Sequence, residues 1–143
     1  MASVDQLIAA KGRVVHTVSD EVPVLEAISK MVAEDIGSVV VIRDGSPCGI
    51  LTERDYLRRV ALEGRSAESI LVRDVMSTDL ITVSPDTDVK VCMALMTTKR
   101  MRHLPVLEEE SLVGMISIGD IVKHLARESD IAIDELTHYI RGR

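Results

Sequence analysis

Phenylalanine and tryptophan are absent from this chain, and its only aromatic residues are Tyr56 and Tyr139. Single-strand nucleic-acid binders stack bases on aromatic platforms, so that class is disfavoured, and the core has to be built from Val, Ile, Leu, Met and Ala. Positive charge is also short. Seventeen Lys and Arg against 23 Asp and Glu leave a net charge of −6. That balance argues against DNA, RNA or an anionic membrane as the main partner, while a local basic cleft remains free to hold a small phosphate. No apolar run approaches the roughly 20 residues that span a bilayer. The opening MASVDQLIAA lacks the basic start and long apolar run of a signal peptide. A cytoplasmic location is therefore expected. The two cysteines, Cys48 and Cys92, stand in neither a CxxC nor a metal-type spacing and are expected as reduced, partly buried thiols. His16, His124 and His138 are scattered, so no metal site is expected. No nucleophile with a neighbouring base and no Gly-rich phosphate loop is evident, so no catalytic residue and no enzyme activity are expected.

What the chain does have is an internal repeat. At 143 residues and 46% hydrophobic content it suits one compact domain or two small halves. HTVSDEVPVLEAISKM (16–31) parallels ITVSPDTDVKVCMALM (81–96), with Thr17-Val18-Ser19 matching Thr82-Val83-Ser84 at a shift of 65 positions. The same shift carries Val24 to Val89, Met31 to Met96, Val41 to Val106, Gly49 to Gly114 and Asp55 to Asp120, without a gap. A constant register through loops as well as apolar segments indicates a duplicated unit.

Each copy predicts a β-α-β-β-α order. A short strand comes first (14–18; 80–83). Ser19-Asp20 and Ser84-Pro85 then offer chemistry for starting a helix. The helix that follows has an apolar face of Val24, Ala27, Ile28 and Met31, or Val89, Cys92, Met93 and Met96. Strands over 38–43 and 48–51 flank RDGSP, where Asp-Gly suits positive φ. Their counterparts, 103–107 and 112–116, flank EEES, which lacks glycine and predicts a looser loop. TERDYLRRVALEG forms a closing helix that stops at Gly64, and SIGDIVKHLARES closes the second copy. The expected organisation is an N-terminal helical extension (1–12), repeat 1 (13–64), a linker (65–79), repeat 2 (80–127) and a C-terminal helix (128–143).

One seven-residue frame occurs in both copies: GILTERD (49–55) and GMISIGD (114–120). Thr52-x-x-Asp55 and Ser117-x-x-Asp120 read as capping boxes, worth about 1 kcal/mol each. They also read as ligand seats. Gly49 and Gly114 would leave room for a ligand close to the backbone. The hydroxyl stands at a helix N-terminus, where free N–H groups and the dipole attract phosphate. An aspartate one turn on suits a ribose diol. Arg100, Arg102 and His103 in KRMRHLPV, and Arg54 in the first frame, supply candidate cations.

On these residues the chain resembles a tandem pair of cystathionine-β-synthase (CBS) domains, the Bateman module, over about residues 13–127. The marks are TVSPDTDV, RHLPV before GMISIGD, GILTERDYLRR, and VRDVMS leading into the second repeat. The resemblance implies a fold of α/β (α+β) type, with two pseudo-symmetric β-α-β-β-α repeats packed together and side-by-side homodimers forming a flat disk. It implies two nucleotide clefts. One would use Ser117 for phosphate and Asp120 for ribose, with Arg102 and His103 by the phosphate and Thr17, Val22, Ile36, Gly37 and Ile116 around the ligand. The other would use Thr52, Arg54 and Asp55 with Ser38, Leu51, Thr82, Thr87 and Met101. Gly37-Ser38 stands where repeat 2 has Arg102-His103, and Val39-Val40 where it has Leu104-Pro105, so the clefts are expected to differ. The implied function is a stand-alone sensor that binds AMP, with NAD(H), ATP or S-adenosylmethionine as alternatives, and regulates a separate protein. A ligand-free dimerisation scaffold is the competing reading.

Overall fold

The structure, a computed structural model, describes residues 2–128. In chain order its elements are α1 (Val4–Lys11), β1 (Thr17–Ser19), α2 (Val24–Glu34), β2 (Ser38–Arg43), β3 (Ser46–Thr52), α3 (Glu53–Tyr56), α4 (Val72–Val75), α5 (Val89–Lys99), β4 (His103–Glu108), β5 (Ser111–Ser117) and α6 (Ile118–Glu128). α3 widens into a π-helical turn over Leu57–Ala61. Past Glu128, the expected C-terminal helix lies outside the described residues. The chain divides into two compact units. One is Val15–Leu80, and the other joins the residues up to Val14 to those from Ile81 onward.

In the first unit β1 runs parallel to β2, with Val18 opposite Val41, and β2 pairs antiparallel with β3, with Ser38 opposite Thr52. The first strand starts later than the expected 14–18, because Val14 is 76% exposed and pairing begins at Thr17. α2 buries Val24, Ala27 and Met31 against Val39, Val41 and Leu51, and the linker contributes Val72 and Val75 of α4 to the same core. Ser19-Asp20 does not start α2. The Ser19 hydroxyl takes the Glu21 N–H, the Asp20 carboxylate is buried against Arg43 Nε at 2.8 Å, and the helix begins after Pro23.

In the second unit β4 and β5 pair antiparallel, with His103 opposite Ser117. The strand expected over 80–83 is reduced to a single bridge, Val83 to Val106. Pro105 explains the loss. In the first unit the Val40 N–H reaches the His16 carbonyl. The residue 65 positions on is Pro105, which has no N–H to give Ile81. α5 is capped by Asp88, whose Oδ1 takes the Lys90 N–H, while Ser84 and Thr87 bond to each other in the preceding turn. α1 belongs to this unit. Val4, Leu7 and Ile8 are buried with Val83, Val89, Leu104 and Ile116, and the Val4 and Asp5 N–H groups donate to the carbonyls of Thr87 and Pro85.

The 65-residue shift reappears in the backbone. α2 and α5 end on left-handed residues, Asp35 (φ 54°) and Arg100 (φ 55°), and the ladders are irregular at Val41/Ile42 and Val106/Leu107. Each hairpin turns through two residues with positive φ, Asp44-Gly45 (52°, 80°) and Glu109-Glu110 (50°, 69°). The EEES loop is therefore not looser than its counterpart. Matched strand registers demand the same tight turn, and two glutamates adopt it at a cost of roughly 1–2 kcal/mol per residue.

Candidate functional site

In the second unit, β5 ends at Ser117 and α6 starts at the next residue, so strand pairing fixes the hydroxyl opposite His103 at a helix N-terminus. The Asp120 N–H donates to Ser117 Oγ at 3.2 Å, and Asp120 Oδ2 accepts the Ser117 N–H at 2.8 Å. The capping box is thus formed. It leaves the Ser117 hydroxyl proton and Asp120 Oδ1 without a partner among the described residues. A cation that sequence reasoning missed completes the group. Lys11 Nζ, at the end of α1, lies 2.8 Å from Asp120 Oδ2 and donates to the Met115 carbonyl at 2.9 Å. Burial, then nearby Lys11, pulls the His103 pKa below its ordinary value, with Asp120 acting in the opposite direction. The imidazole is consequently neutral at neutral pH.

In the first unit the equivalent group is more closed. Asp55 is 9% exposed. Its Oδ2 accepts the Thr52 N–H at 3.0 Å and the Thr52 hydroxyl at 3.1 Å, and its Oδ1 accepts the Ser77 hydroxyl at 3.0 Å. Ser38 is buried opposite Thr52, whereas Arg54 is exposed. Neither glycine of the frame leaves space for a ligand. A Cβ on Gly49 would sit 2.7 Å from the Ser77 carbonyl oxygen and 2.8 Å from Met76 Sδ; one on Gly114 would sit 2.8 Å from Ile8 Cδ1. The room expected there is filled by the segment leading into repeat 2 in one case and by α1 in the other.

The remaining sequence-predicted residues are placed as follows. Leu51 and Ile116 are fully buried in their cores. Val22, Ile36 and Met101 are half-buried against those cores. Thr17 offers its carbonyl to Lys30 Nζ, Gly37 offers its carbonyl to the Glu53 N–H, Thr87 Oγ1 takes the Ser84 N–H, Thr82 is half-buried and Arg102 is exposed. Each expected cleft set draws residues from both units. Within one unit the structure gathers Ser38, Thr52 and Asp55; within the other it gathers His103, Ser117 and Asp120. Lys11 and Ser77 escaped notice because both lie outside the repeat that each serves. The register held the signal, since Ser77 and Gly12 occupy equivalent positions and place Lys11 beside the same frame. Burial pushes the Cys92 thiol up to about 11, with Asp88 adding to it, and also raises that of Cys48, so neither is a ready thiolate. Among the described residues no three His, Cys, Asp or Glu side chains are grouped to hold a metal ion, and no helix is long and apolar enough to cross a membrane.

The sequence model of the CBS domain matches twice, over residues 12–62 and 72–127. The chain belongs to the CBS domain family. As a CBS-domain pair it is 41% identical over 124 residues to the mitochondrial CBS domain-containing protein CBSX3 of Arabidopsis thaliana, a match spanning 83% of this chain and 60% of that protein. It is 32% identical over 126 residues to the CBS domain-containing protein YhcV of Bacillus subtilis, spanning 87% of this chain and 89% of that one. The crystal structure of a CBS-domain containing protein from Agrobacterium tumefaciens superposes with a TM-score of 0.82 at 39% identity, over 86% of this chain and 98% of the other. The mixed helix–strand repeats described above are thus CBS repeats.

Proposed function

We propose that this CBS-domain pair is a regulatory module that binds an adenosine nucleotide, AMP foremost, and passes the signal to a separate protein without chemistry of its own. One observation carries the reading. At the start of α6, an eleven-residue helix, Ser117 keeps a hydroxyl donor and Asp120 keeps a carboxylate oxygen without partners among the described residues. A phosphate takes the donor with the help of the helix N-terminus, and a ribose diol takes the acceptor. Arg102 and His103 precede and face this seat in sequence and register. The repeat-1 seat ranks second, because Thr52 and Asp55 have already spent these groups on each other and on Ser77. NAD(H), ATP and S-adenosylmethionine share the adenosine and remain alternatives for either seat.

Thermal unfolding with AMP, ATP, NADH and S-adenosylmethionine tests the proposal. A ligand at a hundred times its dissociation constant adds about 2.7 kcal/mol of stability. If none shifts the transition, a ligand-free scaffold takes over, a reading favoured by the saturation of Asp55. Homodimerisation is part of the proposal. It is supported by exposed Leu25 and Val32 on α2 and Val91 on α5, and sedimentation equilibrium checks it. A pull-down with and without AMP addresses the regulated protein, and NAD(H) can be substituted in the same assay.

A further inference from the structure

α1 and α6 enclose a recess of about 300 Å³ lined by Leu7, Ala10, Lys11, Asp120, Lys123 and Arg127. Its charge balance is unusual for a chain of net charge −6. Three cations face one acid, and Lys11 is already paired with Asp120. Lys123 and Arg127 have no ionic partner among the described residues, and both are exposed. They stand four residues apart on α6, so they share a helix face and repel one another. The internal repeat supplies a control. Under the 65-residue shift, Lys11 corresponds to Met76, Lys123 to Arg58 and Arg127 to Leu62. Two of the three cations are therefore replaced by apolar side chains in the other repeat, and the fold itself does not require them.

We propose that this recess binds a condensed phosphate, an anion with at least two linked phosphoryl groups, either free or as the tail of a nucleotide. Two uncompensated cations with Cβ atoms about 5–6 Å apart on adjacent helix turns match successive phosphoryl groups better than a single one. Lys11 serves a second purpose there, since neutralising Asp120 removes the one charge that would repel the anion. The recess is at the small end of the size range of small-molecule sites. It meets the proposed nucleotide seat at Asp120 and its partner Lys11, and neither Lys123 nor Arg127 belongs to that seat.

Calorimetric titration of the whole chain with inorganic triphosphate, ATP and AMP tests the site, repeated on the Lys123→Gln/Arg127→Gln double variant. Both substitutions are at exposed positions, and circular dichroism verifies the fold. Inorganic triphosphate should bind the wild type, weaken with added salt, and lose about tenfold or more in affinity in the double variant while AMP changes less than about twofold. Tighter binding of ATP than of inorganic triphosphate, lost in the same variant, identifies the nucleotide tail as the source; the reverse order identifies the free anion. Absence of triphosphate binding to the wild type, or an unchanged affinity in the variant, overturns the proposal. Inorganic triphosphate carries no adenosine, so this result is separable from failure of the AMP reading.

Discussion

Asp55 and Asp120 occupy the same place in the two repeats but carry different loads. Asp55 is buried and accepts three hydrogen bonds, whereas the Asp120 side chain is 16% exposed and shares one oxygen between a backbone N–H and Lys11. Hydrogen bonds to a buried charge are worth more than a partly exposed ion pair. Asp55→Ala should therefore lower stability by about 2–3 kcal/mol and Asp120→Ala by about 1 kcal/mol, measured by urea unfolding. If the nucleotide seat is correct, Asp120→Ala also weakens AMP binding by about 1.5–3 kcal/mol, which a bare helix cap would not do. His103 adds a pH dependence. Its folded pKa lies below the ordinary 6.5, so below pH 6.5 the unfolded chain takes the proton more readily. Stability contributed by this group is present above that value and is lost as the pH falls through the folded pKa. Lys11 strengthens the effect and Asp120 opposes it. Unfolding curves measured downward from pH 7 should show a shallower loss for His103→Gln than for the wild type.

At the scale of elements, the two frame glycines are packing positions with different neighbours. The Gly49 Cα faces a backbone carbonyl, which cannot move without breaking the reciprocal Ile50–Ser77 bridge, whereas Gly114 faces the flexible end of Ile8. Gly49→Ala should cost about 1–3 kcal/mol, the range for overpacking, and Gly114→Ala less, as Ile8 shifts. Equal penalties in thermal melts would refute this ordering. The duplicated register accounts for the legibility of the elements. Val24, Ala27 and Met31 mark one helix face and Val89, Cys92 and Met96 the other, and all six are buried. Where the sequence pattern misled, a local interaction overrode propensity. Pro105 removes from β4 the donor that the strand expected over 80–83 would need, and the matched hairpin register forces Glu109-Glu110 into a turn that composition disfavours.

At the scale of the molecule, each repeat is completed by a helix that precedes a repeat. α4, from the linker, fills the core around Val39 and Leu51; α1 fills the core around Leu104 and Ile116. Removal of residues 1–12 takes three buried side chains, Val4, Leu7 and Ile8, from the second core. At about 1.5–3 kcal/mol each, an upper estimate, this is comparable with the whole stability of a small domain. Hydrogen exchange on the truncated chain should show lost protection in β4 and β5 while β2 and β3 retain theirs. Uniform loss in both units, or no loss, would contradict this assignment of α1.

Sequence alone determined the repeat, its 65-residue register, most of the element order and the paired hydroxyl–aspartate frames, because these depend on local pattern and on comparison of the chain with itself. The frames' immediate neighbours were decided by tertiary structure. Lys11 meets Asp120 across more than a hundred residues, and Ser77 meets Asp55 across 22. The 65-residue register relates Ser77 to Gly12, beside Lys11, but no helix or strand periodicity encodes the meetings themselves. They arise when an apolar helix face finds the core that buries it, and that packing carries the adjoining lysine or serine to its acid.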